Sequence, residues 1–325
     1  MNENINKAGA CPVSEWRGII PPMVTPLRGP DALDEAGLER LVEHILAGGV
    51  HGLFVLGTTG EGPSLSYRLR RELIRRVCRQ VAGRVPVVAG ISDTAFEESV
   101  SLAEAAAEAG VAAVVATPPY YLPVGQPELL EYLEHLVARL PLPLLLYNMP
   151  SCTKVAYAPE TVRAAADIPG IIGIKDSSGD LDYFRTILKL AGEKPGFAVF
   201  MGPEELMSEA VGMGASGGVT GGANLFPELY VRLYEAAVAR DAGQVESLQC
   251  RVMAVSRALY RLGRHPSSYL KGVKCALACM GLCDDFMAEP FHRFREPERE
   301  QLRQELDGLG HGADGGLRIG VCVVK

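Results

Sequence analysis

The sequence predicts a (β/α)8 TIM barrel with a helical appendix at its C-terminal end. Three observations carry this. Eight short apolar runs alternate strictly with eight helix-period segments. Most of the runs are rich in Val, Ile and Leu without polar alternation, as parallel strands covered on both faces require. No Gly-x-Gly-x-x-Gly turn opens a helix near the N-terminus, as a doubly wound dinucleotide-binding sheet would show. The 325 residues suit one barrel with a few added helices.

Taken in order, residues 1–15 are polar and lack the apolar stretch of a signal peptide, so they are read as an N-terminal extension. The barrel is expected over 16–240. Its strands are expected at 18–24, 52–56, 86–89, 112–116, 143–147, 171–174, 197–201 and 215–219. Asp34 is a good N-cap for a helix over 35–47, and Gly48-Gly49 ends it. Further helices are expected at 66–81, 94–109, 127–139, 159–166, 180–190, 203–211 and 227–240. Proline recurs in the first turn at Pro127, Pro159, Pro203 and Pro227, where a missing N–H costs nothing. After Arg240 the pattern is helical only, over 241–262, 267–282 and 296–306, which defines the appendix as 241–308. The glycine-rich tail, 309–325, ends in Ile319, Val321, Val323 and Val324 and reads either as a disordered tail or as an added edge strand.

A net charge of −7 and the lack of a long Lys/Arg block exclude a nucleic-acid partner; the arginines between Arg68 and Arg79 fit a solvated helix face. No apolar run reaches the length of a membrane span, so no membrane partner is expected. A cytoplasmic protein follows, with its eight cysteines reduced. Cys275, Cys279 and Cys283 line one helix face among apolar residues and are read as buried small hydrophobes rather than metal ligands. No metal is expected, since the six histidines are scattered. His51, just before the second strand, falls at the bottom face of a barrel, where a stabilising role is expected.

Barrel chemistry sits where strands end at the C-terminal face. The second strand ends in Gly57-Thr58-Thr59-Gly60-Glu61, whose hydroxyls and backbone N–H groups can form an anion pocket, or simply an ordinary capped turn. The fourth ends in Thr117-Pro118-Pro119-Tyr120-Tyr121, rigidly held aromatics for a site or a contact between subunits. The fifth ends in Tyr147-Asn148-Met149-Pro150, with a phenol able to relay protons. The sixth ends its apolar run at Ile174 and continues Lys175-Asp176-Ser177-Ser178-Gly179-Asp180. A lysine at the end of an apolar strand inside a barrel is desolvated, which frees its amine as a nucleophile toward carbonyls. Amine, phenol and carboxylate pocket together are what an imine-forming 2-oxo acid enzyme needs. The imine is its own electron sink, so no separate cofactor is expected.

These motifs identify the chain as resembling the dihydrodipicolinate synthase/N-acetylneuraminate lyase family over residues 16–308. The matches are Gly-Thr-Thr-Gly-Glu at 57–61, Tyr-Tyr at 120–121, Tyr-Asn-x-Pro at 147–150 and Gly-Ile-Lys-Asp-Ser-Ser-Gly-Asp at 173–180. The resemblance implies Lys175 as the Schiff-base lysine and Tyr147 as the proton-transfer tyrosine. It implies Thr58 and Thr59 as carboxylate binders, with Thr58 linking Tyr147 to Tyr121. It further implies a dimer of dimers, in which Tyr121 enters a neighbour's site, and a Val219 carbonyl facing bound pyruvate.

Two departures bear on the second substrate. Synthases of this family usually carry an arginine two residues after the Tyr-Asn-x-Pro proline, where this sequence has Cys152; a thiol supplies no guanidinium fork, although Lys154 lies nearby. Glu204-Glu205 resembles the acidic pair with which sialic-acid lyases hold polyol hydroxyls, or else simply favours the helix dipole. The stretch around Gly62, Pro63 and Tyr67 lacks the polar residues of a lysine-feedback site. These features favour a lyase acting on pyruvate and a 2-oxo-3-deoxy sugar acid or related compound. The alternatives are condensation of pyruvate with aspartate semialdehyde, a Schiff-base hydro-lyase, and a non-catalytic 2-oxo acid sensor.

Overall fold

The computed structural model describes residues 16–263 and 265–309; the expected extension over 1–15 and the tail from 310 to 325 lie outside the described residues. Eight parallel strands form the barrel wall: β1 (Gly18–Ile19), β4 (Leu53–Val55), β5 (Val87–Gly90), β6 (Ala113–Ala116), β7 (Leu144–Asn148), β8 (Ile171–Asp176), β9 (Ala198–Met201) and β10 (Gly217–Gly218). They pair in the order β1-β10-β9-β8-β7-β6-β5-β4. The ring closes between β4 and the chain after β1. Here the His51 N–H donates to Ile19 O (2.8 Å), Phe54 N–H to Pro21 O (2.9 Å) and Met23 N–H to Phe54 O (2.8 Å), with a parallel bridge at Pro22–Phe54.

Side chains divide into two cores by strand alternation. Trp16, Ile20, Phe54, Val88, Val115, Leu145, Ile172, Phe200 and Val219 fill the barrel interior with others. The larger outer core seats the helices on the barrel wall, as Leu53, Val55, Val114, Leu144, Leu146, Ile171 and Ile174 face α1 (Glu35–Ala47), α2 (Tyr67–Val81), α3 (Phe96–Glu108), α4 (Gln126–Arg139) and their successors. Asp34 caps α1 as expected, accepting from the Gly37 N–H at 3.0 Å.

Where element bounds differ from the sequence reading, local chemistry explains it. β1 stops at Ile19 because Pro21 and Pro22 supply no N–H to a regular ladder. A small hairpin, β2 (Leu27–Gly29) with β3 (Ala32–Leu33), was not expected; it turns through Asp31, whose φ is +50°. A one-turn helix, α5 (Pro150–Thr153), starts on Pro150 right after β7. After it come α6 (Pro159–Ala165) and α7 (Leu181–Gly192). The segment expected as one helix over 203–211 divides into a 3-10 turn, Glu204–Leu206, and α8 (Met207–Gly212). The most consequential difference is β8, which runs on through Lys175 and Asp176. Lys175 therefore belongs to the ladder rather than to the loop beyond it.

At the bottom face the half-buried His51 accepts from the Ile19 N–H through Nδ1 (3.2 Å), and burial pushes its pKa down. α9 (Pro227–Val238) completes the barrel, and the appendix follows as α10 (Ala242–Leu259), α11 (Ser268–Cys279) and α12 (Glu296–Gly308). Cys275 and Cys283 are buried in the outer core, and Cys279 packs partly buried against it. The appendix is fastened to the top of the barrel by an ion pair with almost no exposure, Lys274 Nζ to Glu61 Oε1 at 2.5 Å. The other Glu61 oxygen accepts from the Ala288 N–H (2.8 Å), and Lys274 also donates to Phe286 O (2.6 Å). No described helix is long and apolar enough to cross a membrane.

Candidate active site

Lys175 and Tyr147 are partners in the ladder between β7 and β8. Both side chains therefore leave the sheet on the barrel side at the same height. Lys175 is 4% exposed, and its Nζ lies 4.2 Å from the centre of the Tyr147 ring and 5.3 Å from that of Phe54. No carboxylate pairs with it among the described residues. Beneath it is a void of about 10 Å³, lined by Trp16, Ile20, Phe54, Leu145, Ile172 and Val219 among others. That is at the lower limit for holding one water. The amine is thus held between an apolar floor and two aromatic rings.

Above it opens a cavity of about 630 Å³ whose wall includes Thr58, Thr59, Tyr147, Cys152, Lys175, Glu204 and Val219. Seven of the eight residues expected from sequence are therefore brought together. A neighbouring cavity of about 260 Å³ shares Thr58, Tyr147, Met149 and Cys152 with it and reaches toward Arg70 and Tyr120. Arg70 is committed there to Asp93, through a buried pair at 2.8 Å. The eighth expected residue, Tyr121, lies 89% exposed on the loop after β6, outside this chain's own cavity.

The Thr58-Thr59 turn places one hydroxyl on each of two phenols. Thr58 Oγ1 is 3.3 Å from the Tyr147 hydroxyl, and Thr59 Oγ1 is 3.4 Å from that of Tyr269 on α11. Glu61 holds the far side of this turn in a left-handed conformation (φ +55°) while it pairs with Lys274. The motif's carboxylate thus anchors the turn rather than facing substrate.

Glu204 is buried and already engaged. It accepts from the Gly222 N–H (2.7 Å), from the Tyr260 hydroxyl (2.9 Å) and, in a very short contact, from the Tyr230 hydroxyl. Burial pushes its carboxyl up to about 7, against these hydrogen bonds, and the nearby Glu205 adds to the rise. Glu205 accepts from Ser256 Oγ at 2.5 Å. Both line the cavity expected to take substrate hydroxyls, but Glu204 already has three internal donors and Glu205 one. Cys152 is exposed on α5 at the cavity wall, and Lys154 turns its ammonium back to Ser151 O (2.7 Å), away from the role of a substitute for arginine.

Several residues of this site escaped the sequence reading. Asn148 and Asp176, the next ladder pair outward, are joined by a hydrogen bond from Asn148 Nδ2 to Asp176 Oδ1 (2.8 Å). Both lie in motifs quoted for their neighbours, so the signal was present. Tyr230, Tyr260 and Tyr269 carried none, since only the packing of α9 and of the appendix on the barrel brings them to Glu204 and Thr59.

Known proteins place this geometry. The model of the dihydrodipicolinate synthetase family matches residues 15–308. A 4-hydroxy-tetrahydrodipicolinate synthase of Thermus thermophilus is 36% identical over 297 residues, covering 91% of this chain and 97% of the relative. An uncharacterized DapA-like lyase of Halobacterium salinarum is 32% identical, covering 90% and 94%. Among solved structures, a dihydrodipicolinate synthase from Bacteroides thetaiotaomicron superposes with a TM-score of 0.88 at 55% identity, over 90% of this chain and 99% of that one. YagE, an Escherichia coli prophage protein solved with pyruvate, gives 0.84 at 29% identity, over 90% and 98%.

Proposed function

This chain belongs to the dihydrodipicolinate synthetase family, a family of pyruvate-dependent aldolases, and from that premise we propose that Lys175 forms an imine with pyruvate. The single observation that carries the proposal is the placement of the Lys175 amine 4.2 Å from the Tyr147 ring, with Thr58 Oγ1 3.3 Å from that phenol, in one cavity.

In the proposed reaction the neutral amine adds to the keto carbon, and the carbonyl oxygen leaves as water after gaining two protons. Tyr147, in contact with Thr58, moves protons at that oxygen and at the enamine carbon. The hydroxyls and N–H groups of Thr58 and Thr59 take the pyruvate carboxylate, and the Val219 carbonyl faces the bound keto acid. The enamine then attacks an aldehyde, forming the carbon–carbon bond, and water releases the product from Lys175. The chemistry calls for no cofactor beyond the imine. Tyr121, exposed here, is proposed to complete the relay in a second copy within a dimer of dimers, in the cytoplasm.

For the aldehyde, aspartate semialdehyde is the leading candidate. Its support is the synthase name carried by the curated relatives and the internal engagement of Glu204 and Glu205, which weighs against the sugar-acid reading. One observation keeps a second acceptor in view: Cys152 stands where a guanidinium would hold the semialdehyde carboxylate.

The test is borohydride reduction with pyruvate, which should leave a stable mass on the peptide bearing Lys175. No adduct on the wild-type protein would overturn the proposal. Aspartate semialdehyde with pyruvate should then give the larger kcat/KM against a panel of 2-oxo-3-deoxy sugar acids.

A further inference from the structure

Along β8 the inward and outward directions do not follow simple alternation. Ile171 packs in the outer core and Ile172 in the barrel interior, but Ile174 is again in the outer core and Lys175 in the cavity. Strict alternation from Ile172 would send Ile174 inward and Lys175 out among the helices. The ladder shows why it does not. Leu144 pairs with Ile171 and the very next residue, Leu145, pairs with Gly173. Ile172 is therefore an extra residue, a β-bulge that reverses the parity of everything after it. Gly173 closes the bulge at φ +157°, where an added Cβ would lie 2.2 Å from Ala198 O.

Beyond the bulge the pairing is Leu146–Ile174, Tyr147–Lys175 and Asn148–Asp176. The last pair is also joined through its side chains, on the side of the strands away from the cavity. Asp176 Oδ1 accepts from Asn148 Nδ2 (2.8 Å), and Oδ2 accepts from Ser178 Oγ (2.8 Å). Asn148 Oδ1 in turn accepts from the Tyr157 N–H (3.2 Å). Both side chains are buried, and neither lines the cavity.

We infer that the Gly173 bulge and the Asn148–Asp176 hydrogen bond form a register lock that turns Lys175 into the barrel opposite Tyr147. The bulge sets the direction. The side-chain bond fixes the register one step further on, where a slip of one residue would exchange inward for outward side chains. Gly173, Asn148 and Asp176 are thus positioning residues, and the inference rests on the reading of Lys175 as the imine-forming amine.

Two substitutions test it. Asp176→Ala removes the acceptor, whereas Asp176→Asn keeps an oxygen for Asn148 Nδ2. With far-UV circular dichroism and gel-filtration volume unchanged, Asp176→Ala should lower the first-order rate of borohydride trapping with pyruvate at least about tenfold. Pyruvate half-saturation should move by less than about threefold, and Asp176→Asn should trap at close to the wild-type rate. Trapping by Asp176→Ala at the wild-type rate would overturn the lock, as would failure of the asparagine variant as severe as that of the alanine. A second readout needs no chemistry: a crystal structure of Asp176→Ala should show Nζ displaced from its place over the Tyr147 ring. An unmoved Lys175 overturns the inference. If wild-type protein is not labelled at Lys175, the Schiff-base reading falls, and this structure alone decides the lock.

Discussion

The two walls of the cavity are built by different means. Lys175 and Tyr147 stand inside a strand ladder, at paired positions of β7 and β8. Cys152 and Glu204 stand just past strand ends, on a one-turn helix and a 3-10 turn. On the first wall the backbone ladder decides which groups meet. On the second, each side chain takes its meaning from partners far along the chain: those of Glu204 are at 222, 230 and 260. A residue type read in place can therefore be informative on one wall and misleading on the other.

The largest expected effect lies on the ladder wall. Lys175→Ala should abolish the pyruvate adduct and lower turnover on the order of 10³-fold or more, because no other amine lines the cavity among the described residues. Mass spectrometry after borohydride treatment checks this. An adduct persisting in that variant would break the comparison, since the nucleophile would then have to come from elsewhere.

Next comes the tie beneath both walls. Lys274→Met leaves the Glu61 carboxylate buried without its cation and should cost about 3–5 kcal/mol of stability, measured by denaturant unfolding. Adding Glu61→Gln should recover much of the loss, because burial already works against the charged forms and pushes the Lys274 pKa down. If the single and double variants are equally unstable, the pair matters through packing instead.

Glu204 gives a pH test of the second wall. Its carboxyl is raised from 4.5 to about 7 by burial, so between those values the folded protein binds more protons than the unfolded chain. The resulting stabilisation is full below about pH 4.5 and is lost as pH rises through about 7, to a total of about 3 kcal/mol. Glu204→Gln cannot titrate there. The melting temperature of the variant relative to wild type should accordingly rise between pH 5 and pH 8, and a flat difference would place the titration elsewhere.

Tyr147→Phe returns to the ladder wall with a smaller effect. The ring that stacks over Lys175 remains and the hydroxyl beside Thr58 is lost. Turnover should fall about 100-fold with little change in pyruvate KM, and an unchanged rate in steady-state assays would remove proton transfer from this residue.

What the sequence made legible follows the same division. The eight-strand order was readable because burial on both faces writes itself as continuous apolar runs, and the first wall because ladder residues sit beside those runs. The inward turn of Lys175 was not. The run Ile171-Ile172-Gly173-Ile174 looks uniform, and only the pairing reveals that Ile172 is supernumerary. Glu61 was quoted in a motif but not understood, because its cation lies more than two hundred residues away at Lys274. Glu204-Glu205 resembled a ligand pair in composition, yet the hydroxyls of Tyr230, Ser256 and Tyr260 already donate to it. Acidic residues at a helix start have many uses, and nothing local in the sequence distinguishes them.

Cys152→Arg is the substitution that would bring the second wall closest to the first. The thiol is exposed on α5 at the cavity wall, so the longer side chain has an open path and no core to disturb. Among the described residues that line the cavity the only cationic side chain is Lys175, which stands on the ladder wall and is committed to the imine. A guanidinium there offers a forked pair of donors to a carboxylate, a charge-assisted interaction worth about 1.5–3 kcal/mol, or roughly ten- to a hundredfold. If aspartate semialdehyde is the acceptor and its carboxylate reaches α5, its KM should fall by about tenfold while borohydride trapping with pyruvate stays unchanged. A variant with unaltered semialdehyde kinetics would mean that the acceptor carboxylate is held elsewhere or that the acceptor carries none. A slower trapping rate would show instead that the two walls are coupled, and that the acceptor side helps to place Lys175.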